Sequence, residues 1–279
     1  MPRRHEHGGS GGMNAVLFRR TLAANRLRLL ICAVGLFAWG LVTPLIYATF
    51  GRELQGLVQG NPLLSQFSQF GGGDLFSLSG AMALGFIHPI TVALLSVFAI
   101  GLPVAVVAGE RQRGTLEVLL ARPVARRSYY VTTFVCGALF VAILLAAELA
   151  GNVASAASLG VLDEIEVARV PLLWFDGWLL FLAFMAIAFA ASVSFDRLAP
   201  ALGIAIFVLL VTYVIDVIAS LWPDASWMAD YSLFHYVRAK QVLDGSLAVT
   251  DVGLLVAVVA LAVAYAMFVF PRRDLAAPS

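Results

Sequence analysis

Two carboxyl groups and one charged loop hold most of the chemical potential of this sequence. Glu148 and Asp216 both fall inside long apolar runs. An ionised side chain at mid-membrane depth costs about 2.5–3.5 kcal/mol on insertion scales, so each should face a bundle interior, water or a partner. Glu148, Asn152 and Ser155 share one helical face, and Ala147, Gly151 and Ser155 form a small-residue stripe that allows close helix contact. Glu148 has two readings. One is a polar patch on a substrate path or at a seam between two copies; the other is a protonated carboxyl satisfied by a neighbouring helix. Asp216 sits near the end of its run, where water can reach it.

Other chemistries find little support. Gly8-Gly9-Ser10-Gly11-Gly12 matches a nucleophile elbow in letters, but that turn needs a strand before it and a helix after it. The four histidines, His5, His7, His88 and His235, lack zinc spacing. Cys32 and Cys136 lie in apolar runs and read as small packing residues. A phosphate-binding Walker A loop needs Gly-Lys followed by Ser or Thr. The sole lysine, Lys240, stands between Ala239 and Gln241, so this sequence holds no such loop. With no metal set, nucleophile–base pair or paired catalytic carboxylates, an enzyme is not indicated.

These residues must be positioned by membrane spans. The chain has 279 residues, 61% hydrophobic and 13% charged, with a mean hydropathy of +0.91. A soluble domain is nearer half apolar and a quarter charged. Six apolar stretches, Leu27–Phe50, Ala83–Ala108, Tyr129–Leu159, Leu172–Phe195, Pro200–Leu221 and Val252–Phe270, each reach the roughly 20 residues needed to cross a bilayer. The fold expected is an all-α integral membrane protein with six transmembrane helices. Residues 1–12 read as a flexible tail and 13–279 as one transmembrane domain. The first apolar run is too long for a signal peptide and reads as a retained span. Met13–Arg28, with Phe18, Leu22 and Leu29 on one face, suits an amphipathic helix lying at the inner interface before the chain turns in. Pro44, Pro89 and Pro103 predict kinks in spans one and two.

Arginine sets the orientation. Arg3, Arg4, Arg19, Arg20, Arg26, Arg28, Arg111, Arg113, Arg122, Arg126, Arg127, Arg197, Arg272 and Arg273 fall on one side, against Arg52, Arg169, Arg238 and Lys240 on the other. The positive-inside rule puts both termini in the cytoplasm. Asp196-Arg197 reads as a tight inner turn, with Pro200 in the first turn of the next helix. Outside, Gly51–Gly80 reads as irregular. Trp222–Asp251, rich in aromatic residues, allows short interfacial or re-entrant helices, or a plain loop.

The loop between spans two and three, Gly109–Tyr129, reads GERQRGTLEVLLARPVARRSY. Leu116, Leu119 and Leu120 share a helical face, while Arg113 and Glu117 lie four apart on the polar side. Gly114-Thr115 can start a short helix and Pro123 should end it. The product is a charged amphipathic helix, suited to docking into something.

On these residues the sequence resembles the permease subunits of ABC type-2 exporters. Their loop carries Glu, then Gly-Thr, then Glu, Leu-Leu and Pro-Val-x-Arg. Here those are Glu110, Gly114, Thr115, Leu116, Glu117, Leu119, Leu120, Pro123, Val124 and Arg126. Tyr231-Ser232-Leu233-Phe234-His235-Tyr236, with Val242-Leu243 and Gly245, is similar to the family's segment before the last span, although Leu233 stands where proline is usual. Phe270 with Arg272-Arg273-Asp274-Leu275 is similar to its closing motif.

The resemblance implies that the loop is a coupling helix seated in a separate ATPase, with Glu110, Arg111, Arg113, Gly114, Thr115, Leu116, Glu117, Leu120, Arg122, Pro123 and Arg126 at the contact. It implies two ATPase subunits, a second permease copy or paralogue, and a prokaryotic cytoplasmic membrane. ATP and Mg would be bound by the ATPase and no cofactor by this chain; no nucleic acid is implied. An energy-independent transporter or channel, with Glu148 and Asp216 on an ion path, is the alternative, and a membrane-assembly scaffold a further one.

Overall fold

The computed structural model describes residues 13–51, 76–116 and 125–272. Its spanning helices are α1 (Ala15–Gly51), α3 (Pro89–Gln112), α4 (Arg126–Ser158), α5 (Val167–Ser194), α6 (Leu198–Leu221) and α8 (Val249–Arg272). Two shorter helices, α2 (Leu78–Phe86) and α7 (Ala239–Asp244), pack between them. The six long helices are apolar enough to cross a membrane, and no strand occurs among the described residues.

The expected turn between an interface helix and the first span is absent. The chain is helical without a break from Ala15 to Ile46, then ends in a π-helical turn, Tyr47–Gly51. The Asn14 side chain starts it by accepting from Leu17 N at 3.0 Å, and no glycine–proline signal stops it before Pro44. Leu17, Phe18 and Leu22 pack on the protein core instead of projecting freely. At about 1.5 Å per residue the 37 residues of α1 reach about 55 Å, well beyond a ~30 Å hydrocarbon core. The helix must tilt or extend past the lipid.

Span two also departs from its expected start at Ala83. Ala83–Phe86 belong to α2, and the chain breaks at Ile87–His88. The cause is Pro89. It has no N–H to give the Gly85 carbonyl, so it cannot continue a helix from α2. It serves instead as the first residue of α3, with His88 Nδ1 accepting from Ile90 N at 3.3 Å. Pro103 lies between two π-helical turns, Val97–Gly101 and Ala105–Gly109, the wider geometry that a displaced backbone bond produces. The other spans begin and end within a few residues of the hydropathy reading.

The helix α5 forms the centre. Of its most apolar window 78% is buried, against 22% for α6 and 11% for α8, which therefore lie at the periphery. Trp174 and Trp178 stack at 5.9 Å and donate their indole N–H groups to the Ala142 and Ala138 carbonyls of α4, each at 2.9 Å. Phe140 meets Phe98 of α3 at 4.8 Å, and Tyr130 meets Phe189 of α5 at the same distance. α1 runs along α4 as the most extensive helix pair. Gly40 faces the Glu148 carbonyl and Gly151 faces the Phe37 carbonyl, so closely that a Cβ at either site would overlap backbone. The small-residue stripe of α4 thus meets α1.

The described chain ends lie at one end of the bundle. Asn14 N donates to Thr132 Oγ1 at 2.8 Å, and Arg126 donates to the Pro271 carbonyl at 3.2 Å. Arg111, Arg113 and Arg272 lie there too, which makes this the arginine-rich end.

Candidate functional site

At the arginine-rich end, α3 finishes at Gln112, and Gly114 turns the chain with φ +68°, a conformation that a residue without Cβ adopts at no steric cost. Thr115 and Leu116 are again helical, and Leu116 is buried. Glu117, Leu119, Leu120, Arg122, Pro123 and Val124, and with them nearly all of the expected docking helix, lie outside the described residues.

What is described is how the segment is fastened. Arg111 is 2% exposed; its Nη1 lies 3.2 Å from Asp196 Oδ1 and 3.5 Å from the Phe195 carbonyl, in the turn between α5 and α6. Next to it, Leu198 N donates to Gln112 Oε1 at 2.8 Å. Gly109 lies against Leu198, with little room for a larger residue. On the return side, Arg126 reaches the end of α8, and the Tyr129 hydroxyl donates to the Val106 carbonyl at 2.9 Å. Arg111 therefore faces into the chain, whereas Arg113 faces outward and pairs with Glu110, which also accepts from Thr115. The residues grouped by sequence as one contact set divide into an anchoring pair, Arg111 and Arg126, and an outward group, Glu110, Arg113 and Thr115. Spacing could not separate them, because the Asp196 turn lies 85 residues away in sequence.

In the middle of the bundle Glu148 is fully buried within this one chain. Its Oε1 lies 2.9 Å from Thr91 Oγ1, which also lies 2.8 Å from the Gly85 carbonyl. Trp39 Nε1 donates to the same carbonyl at 3.1 Å, and the Trp39 ring lies 4.4 Å from that of His88. One turn along α4, Asn152 Oδ1 accepts from Thr43 at 2.6 Å, and Ser155 donates to the Leu41 carbonyl at 2.8 Å. The structure thus joins Glu148, Asn152 and Ser155 to α1 and to the α2–α3 break. Sequence reasoning missed their partners Thr43 and Thr91, and Trp39 on the shared Gly85 carbonyl, since nothing local marks a threonine that will face a carboxyl 57 residues on. It also missed Asp176, a second carboxyl buried in α5.

Asp216 is not part of this cluster. It lines a cleft of about 330 Å³ at the far end, with Ser220, His235, Arg238 and Gln241. The cleft is shaped by two 3₁₀ segments, Pro223–Tyr231 and Phe234–Tyr236, and by α7, so the aromatic segment forms short helices. The motif residues have structural tasks there. Ser232 is buried, donates to the Thr212 carbonyl at 2.8 Å and accepts from Phe234 N. Phe234 packs on Phe184 and Tyr213, and Gly245 ends α7 at φ +120°. Arg238 Nε forms an ion pair with Asp251 at 3.1 Å, while its Nη2 lies 3.5 Å from His235 Nε2. Burial and then the Arg238 charge push the His235 pKa below its ordinary 6.5, outweighing Asp230 and Asp251, which act the other way.

Among the described residues no group of three or more His, Cys, Asp or Glu side chains is placed to hold a metal ion. A separate apolar groove of about 310 Å³ lies between α3 and α6, edged by Val92, Ile100, Ile206 and Tyr213.

A comparison with curated proteins finds no match. The sequence profile of the ABC-2 family transporter protein matches residues 24–275, which include all of α2 through α8 and most of α1. With six apolar helices and no phosphate-binding loop of its own, the chain is a multi-pass membrane permease of the ABC transporter type and belongs to the ABC-2 transporter family.

Proposed function

We propose that the chain is the permease of an exporter in which a separate ATPase, loaded with ATP and Mg, pushes on the segment between Arg113 and Ala125 from the cytoplasm. The observation that carries this reading is the fastening of that segment at both ends. Arg111 and Gln112 tie its start to the α5–α6 turn, and Arg126 ties its return to the end of α8. A load on the outward residues Glu110, Arg113 and Thr115 therefore passes to α3, α4, α5, α6 and α8 together. A loop that only connected two spans would not need anchors on three other helices.

The excess of arginine at this end supports a cytoplasmic location for the segment and both termini. Two ATPases and a second permease, identical or paralogous, complete the working unit in a prokaryotic cytoplasmic membrane. ATP drives the cycle only through its different affinity for the closed and open ATPase pair, which biases the two permease states. The cargo is transported and not chemically changed, so the chain itself contributes no catalytic residue.

Purification of the tagged chain from its own membranes tests the proposal. An ABC ATPase should copurify with the native chain and should be lost, roughly tenfold or more for a broken interfacial charge pair, in Glu117→Arg. Equal recovery of the ATPase with both, or labelling of Arg113→Cys from outside the cell, would overturn the reading.

A further inference from the structure

We infer that Glu148 carries a proton in this conformation and uses it at the joint between α2 and α3, as a positioning residue for the head of span two. The inference rests on counting hydrogens. Thr91 Oγ1 has two oxygen neighbours, the Gly85 carbonyl at 2.8 Å and Glu148 Oε1 at 2.9 Å. A hydroxyl has one hydrogen, and a carbonyl or a carboxylate has none. If Glu148 were ionised, one of the two contacts would set lone pair against lone pair inside normal hydrogen-bond distance. A protonated Glu148 resolves both. Its O–H donates to Thr91 Oγ1, and the Thr91 hydrogen goes to Gly85.

The surroundings agree. Glu148 forms no ion pair among the described residues, it is fully buried, and its Oε2 has no hydrogen-bond partner. A carboxylate so placed would hold a full charge on a single bond, which burial penalises heavily; a neutral acid tolerates one weakly solvated oxygen far better.

The joint has a specific need that this proton meets. In an unbroken helix the Gly85 carbonyl would accept from the amide of residue 89, and that residue is Pro89. His88 N reaches the carbonyl only at 3.3 Å, and Trp39 Nε1 stands at 3.1 Å. The shortest of these bonds is the one from Thr91, and its direction depends on Glu148 being a donor. Removal of the proton would turn Thr91 toward the carboxylate and leave the break without its closest tie. The inference concerns the chain alone and stands whether or not an ATPase drives it.

Infrared spectroscopy of the purified full-length permease in lipid nanodiscs tests the proton. Native minus Glu148→Gln difference spectra at neutral pH should show the carbonyl stretch of a protonated carboxylic acid, lost in the variant. A lost carboxylate band with no acid band overturns the inference. Hydrogen exchange at residues 87–92 tests the task. Thr91→Val should speed exchange there by about fivefold, the factor that corresponds to one lost hydrogen bond, while Thr91→Ser, which keeps the hydroxyl, and Glu148→Gln, whose amide N–H can still donate to it, should match the native chain. Unchanged exchange in Thr91→Val, or acceleration in Glu148→Gln or Thr91→Ser equal to that in Thr91→Val, overturns the positioning role even if a variant folds less well overall.

Discussion

The two polar clusters of this bundle solve one problem in opposite ways. At the arginine-rich end, Arg111 is buried but its partner Asp196 is 48% exposed, so the pair keeps one side in water. In the middle, Glu148 is sealed and is met by a threonine, with no cation beside it among the described residues. The difference follows from solvent. Where water is within reach, an ionised pair loses little hydration, and a charge can fasten one helix to another. Where it is not, the ionised form is too costly and the connection must be made with neutral donors. One end of the permease is therefore bolted by charge, and its middle is held by shape and single hydrogen bonds.

That contrast can be attacked from either side. The largest effect should come from the middle, where the α1–α4 backbones touch at Gly151. Gly151→Leu must push α1 away from α4, and a loss of about 3 kcal/mol or more, the top of the usual overpacking range, is expected. It should be read as a collapse of the thermal midpoint in detergent. If stability holds, close packing is not what the middle depends on. Next is the arginine-rich end. Arg111→Met should cost about 1–2 kcal/mol, less than the ~3–5 for a pair broken when both members are buried, because Asp196 is half in water. Asp196→Asn should cost a similar amount, because it leaves the buried Arg111 charge without this counter-ion, and the native advantage over it should shrink as salt is raised from 0.05 to about 1 M. A salt-independent difference would mean that the pair acts by packing alone.

The smallest effect concerns the far end. His235 has a folded pKa below 6.5, so the unfolded chain binds its proton more readily. Well above pH 6.5 both states are neutral and the residue adds no pH dependence. As pH falls through 6.5 toward the lower folded value, the unfolded state gains protons first and stability declines. His235→Gln should flatten that acid limb slightly, seen in midpoints measured between about pH 5 and 8. A limb unaltered by the substitution would assign the acid sensitivity to other groups.

Much of this architecture is legible in the sequence, for definable reasons. Span number, and the limits of the last four spans, emerge from hydropathy, because lipid selects composition over whole helices. The turn at Gly114 is legible because turn chemistry is local. The break at Ile87–His88 is not, since Ala83–Phe86 is as apolar as the head of α3 and Pro89 reads equally as a kink or a start. The reach of α1 is hidden because alternating Arg and Leu residues resemble an interface helix, whereas Leu17, Phe18 and Leu22 are covered by protein. Glu148 is visible as an anomaly, but its partner Thr91 comes from another helix, as does Thr43, the partner of Asn152, and neither leaves a trace near it. Arg111 looks like its neighbours until the α5–α6 turn closes over it.

The π-helical turns at Val97–Gly101 and Ala105–Gly109 give span two a kind of slack. Each houses one residue more than an α-turn would, absorbed as a local widening that leaves the flanking faces aligned. Loss of a residue within such a turn can be taken up by tightening it. The same loss in the middle of α5 has nowhere to go, and would swing everything beyond it through about 100°. Of the two helices, the one that leads to the loop is the one whose length can vary while its two ends keep their aim.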